Sequence, residues 1–543
     1  MTELKRFSLR HPTTWRSVVM LAIVAAFLTV AARFYVPGKG LTPLIQFGEK
    51  LSDRFIPELK VLPYYSVKQT YGYDAQWYVQ IAIRPDPRDP EMASSVDNLE
   101  YRARRILFCW VAYVAGLGKP WWIVQAYALI NIVSWLVLAW LTLRWFPPTR
   151  WENVLRWAAV MLSFGLCFSA RFSLVDGPSL LLIAAGVALF EKGRKWSSAL
   201  VLGIAGLGKE TNVLSAASFG WPKGNSVRAW LSLSLRCALV VAPILIWSYV
   251  LHRIFAGVNS GSAGARAFDF PLHAYWMKLR QTFVELSSGQ GDAALPRGNL
   301  YRMIALTVQL AFLVARPRFK EVWWRVGAAY AVLMIFLGEA VWEGYPDAAS
   351  RVLLPMTLAF NILLPRGRAW LPLLILGNLS VLTTFDLARP PESLGYTLKA
   401  PVELTEPTAG GDSLTVQFGE GWYAPERSTS EYWLWSKGHS RLFIYNPTSQ
   451  SLVLSADFSL KANARREVVF GADQGKLWSG EIGENRQQVH VDNIILVPGP
   501  NQLWWKTAGE VAAAPVQGDT RNLVFSLRNL KLTVRPYAGP RKN

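Results

Sequence analysis

From Val18 to about Phe385 the chain repeats one arrangement: a long apolar run, a short loop carrying Lys or Arg, then another apolar run. Runs of this length and purity read as membrane-spanning helices, so a soluble globular fold is excluded over this stretch. Only 17% of the residues are charged, and the formal net charge is +20. The basic residues are scattered among short loops and form no single stripe, so the charge speaks for membrane topology and anionic headgroups or phosphates, not for nucleic acid. Cys109, Cys167 and Cys237 all lie in apolar segments without metal-ligand spacing, so neither a disulfide framework nor a zinc site is expected.

Sidedness follows from the basic loops. Lys5, Arg6, Arg10 and Arg16 precede the first apolar run, Ser17 to about Tyr35, which is read as a retained anchor with a cytoplasmic start. The segment Ile106 to Gly118 is about 13 residues, too short to span, and is expected to be re-entrant or interfacial. Trp121 to Phe146 then runs inward and puts Arg144, Arg150 and Arg156 in the cytoplasm, where the charge rule wants them. The alternation continues through the basic loops at Glu191 to Lys195, Lys223 to Arg228, Arg316 to Lys320 and Arg366 to Arg368. Gly257 to Asn299 is an outer loop, and Trp370 to Phe385 is the last exit. The expectation is about eleven transmembrane helices, with the N-terminus inside and the C-terminus outside.

After Arg389-Pro390-Pro391 the pattern changes to short alternating runs such as Arg441-Leu442-Phe443-Ile444-Tyr445, separated by Gly, Pro, Asn and Ser turns. The sequence therefore predicts a polytopic α-helical membrane domain over 1–390, with an outer loop at 37–105, followed by an all-β, jelly-roll-like sandwich over 391–543 on the extracytoplasmic side.

The outer loop holds Tyr71-Gly72-Tyr73-Asp74-Ala75-Gln76-Trp77-Tyr78, one carboxylate among aromatics. Asp74 suits a general base that takes a proton from an attacking hydroxyl, and Tyr71, Tyr73, Trp77 and Tyr78 offer faces for a sugar ring. It equally suits an N-cap for a helix over Ala75 to Ile83. Arg102, Arg104 and Arg105 follow, at the outer interface, where arginine can bind phosphate in bidentate fashion or snorkel to headgroups. Asp176, Lys209, Glu210 and Arg351 fall at outer ends of spans, and ionisable groups at such depth tend to face a cavity or a partner. Taken singly, Lys209 and Glu210 can satisfy each other, and Asp176 can cap a helix starting at Pro178.

In the order of its basic start, first span, aspartate-bearing outer loop and arginine-bearing segment Tyr101-Arg102-Ala103-Arg104-Arg105, the chain resembles the GT-C superfamily of integral-membrane glycosyltransferases. Within it, the likeness is to the bacterial, mannosyltransferase-like branch akin to GPI mannosyltransferases, and it covers roughly residues 15 to 385. The resemblance implies that Asp74 is the catalytic residue. It also implies that Arg102 to Arg105, and Arg351 in Arg351-Val352-Leu353-Leu354-Pro355, serve the donor. The expected activity is a probably inverting hexosyl transfer from a polyprenyl-phosphate sugar to a glycan, lipid or protein acceptor, outside the bacterial inner membrane. Ala75 stands where many members carry a second acidic residue, so no metal site and no required cofactor are read from this motif. The tail resembles carbohydrate-binding jelly rolls, with Trp422, Tyr423, Trp433 and Trp435 as glycan-stacking candidates, although aromatics at alternating strand positions also serve as core. The competing classes are a transporter or lipid-linked sugar flippase with a glycan-binding domain, which would show repeats and midplane charges, and a non-catalytic scaffold.

This topology is checked by a reporter that is active only in the cytoplasm, fused after Asn543. It is expected to be silent, and activity there reverses the assignment.

Overall fold

A computed structural model describes residues 15–48, 51, 54–67, 70–222, 226–256, 265–288, 294–342, 347–389, 402–405, 414–423, 426–427, 432–507 and 522–537. The chain divides into two compact units, Met1–Pro391 and Glu392–Asn543. Lys5, Arg6, Arg10 and the segment Glu343 to Pro346 lie outside the described residues.

Four helices of the first unit are long and apolar enough to cross a membrane: Trp15–Ala32, Pro120–Thr142, Val227–Ile254 and Leu295–Ala315. Two bent pairs pass the same test, Trp151–Met161 with Phe164–Arg171 at 44° and Arg368–Leu376 with Leu379–Ala388 at 48°. The first bend falls at Leu162-Ser163, where the Ser163 hydroxyl bonds back to the Val160 carbonyl. Among the described residues the count is thus four spans, or up to six, short of the eleven expected. The difference lies in the central segments, which form shorter elements. Asp176–Glu191 has 16 residues, Lys195–Gly208 has 14, Val322–Phe336 has 15 and Leu354–Leu363 has 10. At 1.5 Å per residue these reach about 15–24 Å, less than a hydrocarbon core of about 30 Å. Leu354–Leu363 is buried at every position but Ile362, so its apolar character reflects packing against protein and not exposure to lipid. Trp15–Ala32 is the opposite case, with Met20 its one buried residue.

Ile106 to Gly118 folds as a nine-residue helix, Leu107–Ala115, too short to cross. Left-handed Leu117 and Gly118 then turn the chain into Pro120–Thr142. In the segment placed in an outer loop, His273–Ser288 forms a helix, and the following helix already begins at Ala294. Glu210–Phe219 is a ten-residue 3₁₀ helix that ends at left-handed Gly220, where the Arg325 guanidinium leaves no room for a Cβ.

The loops assigned to one side meet one another. Arg144 pairs with Glu191 at 2.9 Å, Arg16 donates to the Thr149 carbonyl at 2.6 Å, and Glu152 accepts from the Gly367 amide at 3.1 Å. Asp176, at the other end of the helix that terminates in Glu191, belongs to a separate charged cluster. The two sets are therefore a helix length apart, about 24 Å.

The second unit packs two sheets over one core. Strands Gly475–Ile482, Arg466–Ala472, Gly499–Thr507, His439–Asn446 and Thr415–Phe418 form the first in that spatial order. Gln487–Leu496, Leu452–Lys461, Phe525–Pro536, Tyr432–Ser436 and Glu426–Arg427 form the second, and Val402–Thr405 adds in parallel to Phe525–Pro536. Burial alternates strictly along His439–Asn446, as a strand with one wet face requires. Phe458, Phe470, Trp505 and Phe525 fill the interior.

One buried polar network sets where Asp176 stands. Asn131 of the Pro120–Thr142 helix donates to the Leu174 carbonyl at 2.8 Å, and its Oδ1 accepts from Ser169 at 3.0 Å. Ser169 in turn accepts from the Gly177 amide at 2.8 Å. Left-handed Ser173 makes the turn that brings Leu174 to these groups. Asn131→Ala removes the donor to the Leu174 carbonyl, but the Ser169 hydroxyl lies 3.1 Å from that carbonyl and takes its place, so the expected cost is only about 1 kcal/mol. Thermal unfolding in detergent should register that loss, and an unchanged midpoint would show the network to be dispensable.

Candidate functional site

The helix Ala75–Ile83 is buried at all nine positions, so the chain entering it is held tightly. Gly48 and left-handed Gly72 touch backbone to backbone; a Cβ on Gly48 would stand 2.2 Å from the Gly72 nitrogen. Gln76 clamps this crossing by accepting from the Gly48 amide at 3.0 Å and donating to the Tyr71 carbonyl at 2.7 Å. Gln80 accepts from the Ile56 amide at 3.0 Å and ties the far end. Asp74 is thereby presented at the helix start on a fixed backbone.

Asp74 does not act as a cap. It occupies the N-cap position, but with helical φ −51° and ψ −36°, and its side chain makes no capping bond. Its Oδ1 accepts from Arg102 Nη2 at 3.0 Å, while Oδ2 makes no hydrogen bond among the described residues. The side chain is 37% exposed, against 9% for Arg102. Arg102 is held from behind by Asp97, whose two oxygens take Nε at 3.0 Å and Nη2 at 2.7 Å.

The other cations pair differently from the sequence expectation. Lys209 and Glu210 do not satisfy each other: Lys209 binds Asp176, and Glu210 takes Arg105 Nε at 3.0 Å. Asp176 is no cap either. It begins its helix, is 2% exposed, and also receives Arg351 Nη1 at 2.9 Å. Arg105 donates further to the Tyr78 hydroxyl at 3.1 Å and the Tyr101 hydroxyl at 2.8 Å. Gly165 lets the Arg351-bearing helix approach, since a Cβ there would stand 2.4 Å from the Ser350 carbonyl. Arg351 lies over the Phe168 ring at 5.5 Å, and Tyr73 packs on Phe168 and Phe172.

Asp74, Arg102, Arg105, Asp176, Lys209, Glu210 and Arg351 therefore form one charged group. Arg104 stands apart, 41% exposed and paired with Glu100 four residues before it. Trp77 and Tyr78 are buried in the wall, so their rings are not sugar platforms; Tyr71 is exposed. Asp97 and the Tyr101 hydroxyl are functional neighbours that the sequence reading missed. The signal for Asp97 is its place just before Asn98, the cap of the short helix carrying Arg102. Among the described residues no three of His, Cys, Asp and Glu stand close enough to hold a metal ion.

The glycan-stacking candidates of the second unit are engaged elsewhere. Trp422 and Trp435 are buried. Trp433 lies beneath Arg528 and donates to Glu426, and Tyr423 lies beneath Lys437. The large rings left standing outward on the five-stranded sheet are Phe443 and Tyr445.

Neither family models nor curated proteins match this chain. Among solved structures it is similar to the arabinosyltransferase EmbB from Mycobacterium smegmatis, at 10% identity and a TM-score of 0.28, over 98% of this chain and 66% of that one. A likeness that slight carries no weight for function, which has to be argued from the site.

Burial pushes the Asp74 carboxyl up, but the charges of Arg102 and Arg351 outweigh it and hold the group below the usual carboxylate range. Glu210 is brought down in the same way, by Arg105 against burial. A depressed folded value means that the pairing of Asp74 contributes fully above its unfolded value of about 3.9 and is lost only as pH falls through the lower folded one. Infrared titration of wild type against Asp74→Asn should show no Asp74 carboxyl band appearing from pH 7 down to about 4. A band that grows in near pH 6 would mean the guanidiniums do not control the group.

Proposed function

We propose that the first unit is a membrane glycosyltransferase that moves a sugar from a polyprenyl-phosphate donor to an acceptor hydroxyl, with Asp74 as general base. One observation carries this reading. In a group of mutually paired charges, Asp74 is held ionised by one oxygen and, among the described residues, keeps Oδ2 unbonded on a side chain that is 37% exposed. A carboxylate arranged this way can take a proton, which a capping or fully paired one cannot.

The acceptor O–H gives its proton to Asp74 Oδ2 as its oxygen bonds to the anomeric carbon. The bond from that carbon to the phosphate oxygen breaks, and the lipid phosphate leaves with the electron pair. A phosphate needs little acid assistance to depart, so one carboxylate suffices where glycoside hydrolysis uses two. Attack opposite the leaving phosphate inverts the anomeric centre. Arg105, Arg351 and Lys209 supply guanidinium and ammonium donors for the phosphate, and Arg102 orients the base while lowering its proton affinity. Tyr73, on its Phe168–Phe172 support, gives the sugar an aromatic face.

Asp74→Asn keeps size and shape but removes the base. Purified variant is expected to fold normally, to bind a polyprenyl-phosphate sugar, and to transfer it about 100-fold or more slowly. Arg351→Lys, by contrast, should act mainly on donor binding, since Lys cannot reproduce a bidentate contact. Full turnover by Asp74→Asn would end the assignment of the base.

A further inference from the structure

We propose that a basic cleft at the end of the first unit opposite Asp74 binds a phosphate-bearing anion of the kind an anionic phospholipid headgroup presents. The cleft has a volume of about 320 Å³ and is lined by Trp145, Asn153, Arg156, Arg318 and Arg366, among others. It belongs to the set of loops that meets Glu191, about 24 Å along the helix from Asp176, and shares no residue with the charged group described above.

Its charge is poorly met by the protein. Arg156 is 4% exposed, yet its bonds go to backbone carbonyls alone: Asn361 at 3.0 Å, Leu364 at 2.5 Å and Pro365 at 2.8 Å. Arg318 donates to the Leu363 carbonyl at 3.1 Å, and therefore to the same helix end. The carbonyl terminus of a helix is worth about half a negative charge, and two guanidiniums already draw on it. Arg366 adds a third positive charge that acts on Arg156 and makes neither hydrogen bond nor ion pair among the described residues. The one carboxylate that acts on Arg156, Glu152, gives Oε1 to the Gly367 amide and reaches no guanidinium with Oε2, so it offsets a single charge of the three. Arg156 Nε is left buried without a partner.

Three guanidiniums against the one carboxylate of Glu152 leave an excess of positive charge, which is costly unless an anion completes it. A tetrahedral phosphate matches the guanidinium fork and can be shared between Arg318 and Arg366, whose remaining N–H groups make no bond among the described residues. Trp145 beside it presents an apolar body with its N–H already held by Glu191, as suits a ring at the level of headgroups. Basic pockets between membrane helices are suited to anionic headgroups for these reasons. The site does not depend on the glycosyltransferase reading.

The test uses the full chain, purified in neutral detergent. Dioctanoyl-phosphatidylglycerol, dioctanoyl-phosphatidylcholine and inorganic phosphate are titrated separately, with binding followed by native mass spectrometry and thermal unfolding. The glycerol lipid is expected to bind one saturable site and raise the unfolding temperature, with no comparable effect of the choline lipid. Arg318→Gln combined with Arg366→Gln is expected to weaken that binding at least about tenfold, in line with the loss of charge-assisted contacts. These two residues are chosen because Arg156 holds a helix end and its loss risks the fold; circular dichroism and gel filtration of the double variant confirm that it is intact. Saturable binding of inorganic phosphate with the same sensitivity assigns the site to phosphate itself, and binding of the lipid alone assigns it to a headgroup. Equal binding by wild type and the intact double variant, equal binding of both lipids, or no binding of any probe overturns the proposal.

Discussion

The first unit depends on a carboxylate that cannot stand alone. Asp176 is sealed from solvent, and an ionised group at that depth is tolerable only with opposite charge beside it. Its two partners come from remote parts of the chain, Lys209 at the end of one helix and Arg351 in another more than a hundred residues on. Either alone would balance its charge, and removing both would leave it uncompensated, so Asp176 draws three segments together. The charges of Arg351 and Arg105 then reach Asp74, so the carboxylate that gathers the assembly also helps to set the field in which Asp74 sits.

The surroundings of Asp74 are built for rigidity. Two glycines permit a backbone crossing that no side chain would allow, Gln76 locks it, and a wholly buried helix follows that Gln80 ties to Ile56. A carboxylate so mounted keeps little freedom to lose, and the base proposed for Asp74 would need such pre-organisation.

Much of this was legible in the sequence, and the misses have physical causes. The change from apolar runs to alternating strands after Pro391 rests on period, a local property, and the second unit is indeed built of paired strands with an alternating face. A lone acid among aromatics makes Asp74 conspicuous, yet base and cap have the same spacing signature; the backbone angles and the bond to Arg102 exclude the cap alone. Lys209 and Glu210 looked like a self-satisfied pair because adjacency is all that a sequence displays. Their actual partners, Asp176 and Arg105, are 33 and 105 positions away. Four to six of the expected spans meet the length and composition of a crossing helix among the described residues, since hydropathy does not distinguish a helix wrapped by protein, as Leu354–Leu363 is, from one wrapped by lipid. The tryptophans of the second unit were ambiguous for a related reason: ring type does not say which side of a sheet is wet.

The 3₁₀ segment Glu210–Phe219 joins the charged group to the opposite end of the unit, where the carbonyls of Ala217 and Ser218 are gripped by Arg325. Ten residues in this form extend about 20 Å, against about 15 Å as an α-helix, and a run this long is unusual. The segment is thus a stretched strut anchored at its base. Rewinding part of it would draw Glu210 and its neighbour Lys209 together off their partners Arg105 and Asp176, so the extension of this segment holds both pairs in place.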